Sequence, residues 1–459
     1  MIAPHRLQGS AITGQDILDA REARAARQSQ WLAGQDDCCL VSLTLNIAGA
    51  VKRTPLIEDG FRAGLVLVDD TLTNLALSVL RREEWFFHTG CEAFRLVQGS
   101  AAEVKRAMVG VEESCPFGRL LDIDVLGADG IPLSRTQLGL PGRCCLVCGE
   151  AAQVCGRSQR HSYEQLRDVT NELIHTHLTE TRADRVAALA CRSMLYEVLV
   201  TPKPGLVDRS NSGSHTDMDV FTFAASASAI TPYLRKAYLL GRTSADAAGL
   251  LAALRGAGRL AEEEMYRATG RVNTHKGLIY SLGLLCAALG RCEEHASSLW
   301  EEIGALARLA MEADFGTHAP SRSTTGQSLY KAYGIGGIRA EAAEGFPSVR
   351  QVALPLLTRL LDAGMSPNDA GAYTLLALLG RVTDTNMIAR GGMDAANAAK
   401  TAAHKLLPDE NGALPPLSAL EQLDEQFIRD HLSPGGCADL LAIAFFLYYL
   451  NKENPSWQM

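Results

Sequence analysis

The chain has 459 residues, 47% hydrophobic and 21% charged, which excludes a disordered protein and leaves room for more than one core. With 44 Lys and Arg against 52 Asp and Glu, the net charge is −8; this excludes a broad nucleic-acid-binding face but not a local basic pocket for phosphates. No apolar run has the length of a membrane span, and the opening MIAPHRLQGS lacks the apolar region of a secretory signal, so a cytoplasmic location is expected and the 12 cysteines read as reduced thiols or metal ligands.

Thr13–Leu32 predicts a helix with Ile17, Leu18, Ala25 and Leu32 on its apolar face. Its other face carries Arg21, Glu22, Arg24, Arg27 and Gln28, either a solvated face or a row of cations for phosphates. Cys38–Gly49 alternates and predicts a strand, Ile57–Leu80 a helix, Trp85–Leu96 a strand and Val104–Val111 a helix. In Gly118–Arg135, LLDIDVL predicts a strand, and the ADG turn leads to a second strand, IPLSR. Side chains two apart on a strand share a face, so Asp122 and Asp124 project together and repel unless a cation lies between them. Mg²⁺ on a triphosphate or pyrophosphate needs that arrangement, with Arg119 just upstream; the bland reading is an acidic, solvent-facing strand.

Arg143–His161, RCCLVCGEAAQVCGRSQRH, sets Cys145 and Cys148 in a CxxC with Cys155 and His161 downstream. The ligand types and first spacing suit Zn²⁺, although C-x5-H fits less well than a second CxxC, and free, reduced cysteines are the alternative. From Tyr163 onward Ala and Leu recur at helical spacing, predicting helices near 163–200, 218–241, 244–268, 276–290, 293–312, 349–362, 368–380, 393–407 and 436–452, the last a buried terminal helix.

The polar residues of this second region gather in the breaks between helices. Thr201–Asp219, TPKPGLVDRSNSGSHTDMD, cannot continue a helix through Pro202 and Pro204, yet it carries Lys203, Asp208, Arg209, Asn211, His215, Asp217 and Asp219 between apolar helices. Such charges against a core need partners, ions or substrate, which makes the segment a candidate site. Arg271–Gly277 puts Asn273, His275 and Lys276 at a helix start suited to an anion. Ser323–Phe346 has Gly334, Gly336 and Gly337 for close backbone approach with Lys331, Arg339 and Glu341, and Thr383–Gly392 offers Asp384 and Asn386 to a cation and Arg390 to a phosphate. Together the four breaks suit a nucleoside triphosphate with Mg²⁺.

TPKPGLVDRSNSGSHTDMD, NTHKG, GIRAEAAEGF and DTNMIARGG together resemble the triphosphoribosyl-dephospho-coenzyme A synthase family, from about Asp184 onward. Ala340 stands where that pattern has glycine. REARAARQ (Arg21–Gln28), NIAGAVK (Asn46–Lys52), GRLLDIDV (Gly118–Val125) and the cysteine segment are similar to the holo-citrate lyase synthase family, also called apo-citrate lyase phosphoribosyl-dephospho-coenzyme A transferase, over about residues 10–170. Ala48 and Ala50 replace prolines of that pattern and Leu121 a tryptophan. The whole chain resembles a fusion of the two.

The resemblance implies a multidomain chain: an α+β, nucleotidyltransferase-like domain over 1–170, then an all-α domain over 181–459. The second would condense ATP with 3′-dephospho-coenzyme A, releasing adenine, and the first would pass the product to a serine of the apo-citrate lyase acyl carrier protein (its gamma subunit), releasing pyrophosphate. His215, Asp217 and Asp219 are then acid and base candidates. Lys203, Asp208, Asn211, Asn273, His275, Lys276, Arg339, Glu341, Asp384, Asn386, Arg390 and Arg119 are expected to hold the ligands, and Asp122 and Asp124 to hold Mg²⁺ and take part in the transfer. Three rival readings are a malonate decarboxylase carrier protein as acceptor, a non-catalytic sensor of ATP and coenzyme A derivatives, and a zinc-dependent interaction module at 143–161.

Overall fold

The structure, a computed structural model, describes residues 2–295, 298–315, 334–407 and 413–453. They form two compact units, Met1–Thr181 and Arg182–Met459. In the N-terminal unit, α1 (Gly14–Leu32) starts at Thr13, whose hydroxyl accepts from the Asp16 N–H while the Asp16 carboxylate accepts from the Thr13 N–H. There follow β1 (Cys38–Leu45), α2 (Pro55–Asn74), β2 (Ser78–Phe87), β3 (Gly90–Gln98), α3 (Ala101–Glu113) and β4 (Leu121–Leu126). The four strands pair antiparallel in the order β2-β3-β1-β4.

Alternation splits this sheet into two faces. Cys39, Val41, Leu43, Ala93, Val97, Ile123 and Val125 pack on the apolar sides of α2 and α3. Leu40, Phe94, Leu96 and Leu126 pack against Trp31 and Leu32 of α1, where Trp31, Trp85 and Phe94 meet edge to face. Asp122 and Asp124 share this second face and pair across to Thr44 and Ser42.

Four expectations for this unit change. Trp85–Leu96 is a hairpin, not one strand; β2 is an edge strand, and its charged run Arg81–Glu84, typical of an edge, hides it from pattern reading. The helix expected over Ile57–Leu80 stops at Asn74, because Ala76 takes a positive φ of 53° and turns the chain into β2. IPLSR makes only an isolated bridge, Leu126 to Pro132, since proline brings no N–H to a ladder. On α1, Leu18 is exposed and Trp31 makes the buried contact instead.

α4 (Ala152–Ser158) precedes α5 (Tyr163–Leu199), the helix within which the division between units falls. The C-terminal unit continues with α6 (Val220–Thr243), α7 (Ala247–Ala268), α8 (Lys276–His295), α9 (Leu299–Phe315) and α10 (Gly337–Ala343). A π-turn at Val349–Ala353 leads into α11 (Leu354–Asp362), then α12 (Pro367–Leu379), α13 (Thr385–Lys405), α14 (Leu417–Arg429) and α15 (Gly435–Glu453). α15 is apolar all round and buries Leu440, Leu441, Ile443, Phe445, Phe446 and Leu447, as a central helix must. No helix among the described residues is long and apolar enough to cross a membrane. α10 and α14 were not expected. α13 begins at Thr385, ahead of the expected 393, so DTNMIARGG forms its cap and first turns, interrupted where Gly392 adopts φ 78°.

Candidate functional site

The C-terminal unit holds a cavity of about 720 Å³, a size typical of ligand sites. All four polar breaks reach it: Lys203, His215 and Asp217 from the first, Asn273, His275 and Lys276 from the second, Arg339 from the third, Asn386 and Arg390 from the fourth. Lys331 lies outside the described residues. Arg255, Arg259 and Glu262 of α7, Ser433 and Asp439 also line the cavity; α7 reads as an ordinary amphipathic helix, so nothing in its pattern singled them out.

The Thr201–Asp219 loop is pinned from several sides. Asn368 accepts from the Thr201 N–H at 2.9 Å and donates to the Thr201 carbonyl at 2.7 Å. Asp424 of α14 accepts from the Gly205 N–H at 2.8 Å and from Asn211 Nδ2 at 2.9 Å. Gly205 has φ 70°, and a Cβ there would collide with the Leu432 carbonyl. Asp208 is buried and accepts from the N–H groups of Lys203, Ser210 and Asn211, so it shapes the loop. Lys203 is buried in an ion pair with Glu197 of α5.

At the far end of that loop His215 Nε2 meets Ser433 Oγ at 2.9 Å and Nδ1 meets Arg390 at 3.1 Å, with Asp217 at 4.0 Å. Burial, then the Arg390 guanidinium, hold the His215 pKa below its ordinary value against the weaker pull of Asp217, so the ring is neutral near pH 7. His275 is fully enclosed, and burial pushes its pKa down to about 3. Its Nδ1 meets Ser226 Oγ at 2.7 Å, and Thr274 donates to that same hydroxyl. This chain leaves Ser226 to donate to Nδ1 and the proton on Nε2, which has no partner among the described residues and is a ready donor to a ligand.

Asp439 of α15 packs against the start of α8: a Cβ on Gly277 would strike its carboxylate, which accounts for the glycine of the NTHKG segment. Burial, with Glu197 and Asp384 nearby, pushes Asp439 well above the usual carboxylate range. Lys276 pairs with Glu262 at 2.9 Å at the mouth of that helix.

Some expected residues sit elsewhere. Asp219 is the N-cap of α6, its carboxylate engaged by the Thr222 N–H and hydroxyl, and it is not among the cavity-lining residues. Asp384, expected to ligate a cation, is the buried N-cap of α13 and accepts from the N–H groups of Asn386, Met387 and Cys437. Glu341 is turned to Ser348, whose hydroxyl and N–H it accepts. In each case a free helix-end or loop N–H claims the carboxylate.

In the N-terminal unit a pocket of about 160 Å³ is lined by Arg21 and Arg24 of α1, Thr44, Asn46, Lys52, Glu92 and Asp122. Of the arginines of α1, Arg21 is exposed at this pocket, while Arg24 and Arg27 are partly buried and not simply solvated. Arg24 and Arg27 pair with the buried Glu92, and Gln28 donates to Ser42. Asp122 pairs with Arg143 at 3.2 Å, and Arg143 also pairs with Glu112, a buried carboxylate that accepts from the Ile123 N–H and from Arg135. Asp124 lies beside Asp122; desolvation first, then the Asp122 charge, raise its pKa. Arg119 donates to the Cys145 carbonyl and so supports the cysteine segment instead of the carboxylates. Cys145, Cys148, Cys155 and His161 come together, their ligand atoms all within 4.8 Å of one another.

Two family models match the chain. Residues 12–177 match the model described as CitX, apo-citrate lyase phosphoribosyl-dephospho-CoA transferase, and residues 183–458 the model described as CitG, ATP:dephospho-CoA triphosphoribosyl transferase. The chain is 33% identical to "Protein CitXG" of Leuconostoc mesenteroides, over 96% of this chain and 97% of that protein. It is 33% identical to "Protein CitXG" of Haemophilus influenzae, over 96% of each. It is 39% identical to the 2-(5''-triphosphoribosyl)-3'-dephosphocoenzyme-A synthase of Klebsiella pneumoniae, over 58% of this chain and 90% of that one.

Proposed function

The chain belongs to the family of fused CitX–CitG transferases, and on that premise we propose which residues carry each of its two reactions. It is a bifunctional enzyme that makes and attaches the citrate lyase prosthetic group. ATP and 3′-dephospho-coenzyme A are condensed to 2′-(5″-triphosphoribosyl)-3′-dephospho-coenzyme A with release of adenine. The product is then transferred to an acyl carrier protein, with release of pyrophosphate. We take the acceptor to be a serine of the gamma subunit of citrate lyase, and the cell compartment to be the cytoplasm, consistent with twelve free cysteines.

For the first reaction, the supporting observation is that two neutral histidines and several cations converge on one cavity. The attacking ribose hydroxyl forms its bond to C1′ of the ATP ribose and loses a proton, while the bond from C1′ to adenine breaks and the base takes one up. His215 is neutral and is our candidate to accept the first proton; Asp439, kept protonated, is our candidate to give the second. Asp217 is exposed at the same rim and would offset positive charge developing on the ribose. Lys276, Arg259, Arg339 and Arg390 would hold phosphates, and His275 Nε2, Asn273 and Asn386 would orient the nucleotide. Lys203 would act from behind, keeping Glu197 compensated.

For the second reaction, Asp122 and Asp124 suit Mg²⁺ by donor type: two hard carboxylates on one strand face, opposite Thr44 and Ser42. Bound there, Mg²⁺ would offset the charge of the departing pyrophosphate. Arg21, Arg24 and Lys52 line the adjoining pocket and would receive that anion. A carboxylate pair on an antiparallel sheet packed by helices is also our ground for reading this unit as nucleotidyltransferase-like.

The test is mass spectrometry of the purified protein with ATP, Mg²⁺ and dephospho-coenzyme A. The wild type releases adenine and forms a species heavier by a triphosphoribosyl group; His215→Ala slows this about a hundredfold or more. A wild type that is stabilised by ATP yet forms no adenine would replace this reading with that of a sensor.

A further inference from the structure

Between Leu126 and Thr170 the chain has almost no core. Of residues 127–169, only Cys145 and Cys155 are buried, and the regular structure before α5 is a three-residue turn and the short helix α4. Apolar burial cannot hold such a segment in one conformation, and small segments of this kind need a covalent or metal staple. All cysteines are free, and the two buried ones come together with Cys148 and His161.

The local backbone is arranged around the sulfur atoms. Cys145-Leu146-Val147-Cys148-Gly149 forms a tight knuckle: the Gly149 N–H donates to the Cys145 carbonyl at 3.2 Å, and Gly149 has φ 76°. The N–H groups of Val147 and Cys148 are directed at the Cys145 sulfur. Cys155 projects from α4; Gln159, at φ 47°, ends that helix, and the Arg160 N–H donates to the Cys155 carbonyl at 3.2 Å, which returns the chain to His161. Cys148 Sγ lies 3.4 Å from Cys155 Sγ and 3.3 Å from His161 Nε2. A tetrahedral zinc with Zn–S of about 2.3 Å needs sulfurs roughly 3.8 Å apart, so a shift of a few tenths of an ångström suffices.

We propose that Cys145, Cys148, Cys155 and His161 hold one structural Zn²⁺, and that this ion fixes Arg143 against Asp122. Four protein ligands leave no open position, which marks a structural ion and not a reacting one. Arg143 stands two residues before Cys145; its carbonyl accepts from the Ala152 N–H at 2.9 Å across the base of the knuckle, and its guanidinium reaches Glu112 and Asp122. Arg119 joins the same segment to the start of β4 through the Cys145 carbonyl. The metal thus stands where a hydrophobic core would, and Arg143 is its positioning link to the carboxylate pair. The Arg143 part rests on the transferase reading of Asp122 and Asp124; the metal part does not.

The test is elemental analysis of the full-length protein, purified under reducing conditions without a metal-affinity step. About one zinc per chain is expected, falling to background in Cys148→Ser and Cys155→Ser. Wild type without zinc, even after zinc addition and desalting, or variants that keep it, would overturn the site. The second arm strips zinc with a strong chelator, desalts, and restores Mg²⁺. Carrier-protein modification should fall about tenfold or more and return with zinc, while adenine release stays within about twofold. Unchanged modification, or equal loss of both activities, would overturn the link through Arg143. Metal content needs no turnover, so failure of the transferase reading would show as zinc-loaded protein that modifies no carrier.

Discussion

His215 sits between Ser433 and Arg390, and the role of base proposed for it would depend on the charge of its neighbour. A depressed pKa keeps the ring neutral, so the acid limb of the synthase rate should lie below the ordinary imidazole value of 6.5. Arg390→Met removes one cause of that depression. The limb should then move to higher pH, and kcat/KM should fall roughly ten- to hundredfold if the proposed phosphate contact is lost; a pH–rate profile of adenine release reads both. His275 bears on stability instead. Its folded pKa of about 3 lies below the unfolded value near 6.5, so the unfolded chain binds the extra proton between these limits. Stability should therefore drop as pH falls from about 6.5 toward 3, by at most ~1.4 kcal/mol per pH unit from this group, and His275→Gln should flatten that slope in denaturant titrations. The histidines and the loop cations are legible because they cluster in Pro- and Gly-broken segments, whereas Arg255 and Arg259 sit on the ordinary amphipathic helix α7 and are not. Nor is Asp439: it lies in GGCADLLAIAFF, an apolar stretch whose one carboxylate reads as a lapse in a buried helix, and only packing against Gly277 reveals it.

α14 shows the same limit at the scale of elements. LSALEQLDEQFIR follows the prolines Pro415 and Pro416 and is polar on most of its surface, so it reads as a connection. Yet Leu420, Leu423 and Phe427 are buried, and Asp424 anchors the Thr201–Asp219 loop through Gly205 and Asn211. Asp424→Ala strands the buried Gly205 N–H and should cost about 1–3 kcal/mol, measured as a lower midpoint of unfolding for the C-terminal unit, with synthase activity falling as the loop loosens. Gly277→Ala tests a different contact. The added methyl meets the Asp439 carboxylate, and adenine release should fall steeply while carrier-protein modification from supplied intermediate continues. Where one periodicity dominates, as in α7 or β1, the pattern predicts the element closely; it fails at the edge strand β2 and at α13, whose glycine pair reads as an end but only kinks the helix.

Across the whole chain, two groups of residues fall in the two compact units: carboxylates on a small antiparallel sheet, and neutral histidines with cations in a helical cavity. The change from alternating to helical spacing near Tyr163 makes that division visible in sequence alone, whereas the support of the cysteine segment, two buried residues in over forty, has no periodic signal. The most direct test of the division is Asp122→Asn in the full-length enzyme, assayed for both half-reactions with carrier protein present. The account predicts adenine release within about twofold of wild type and carrier modification reduced by about a hundredfold or more. Equal loss of both activities in a folded variant, or carrier modification at the wild-type rate, would contradict it.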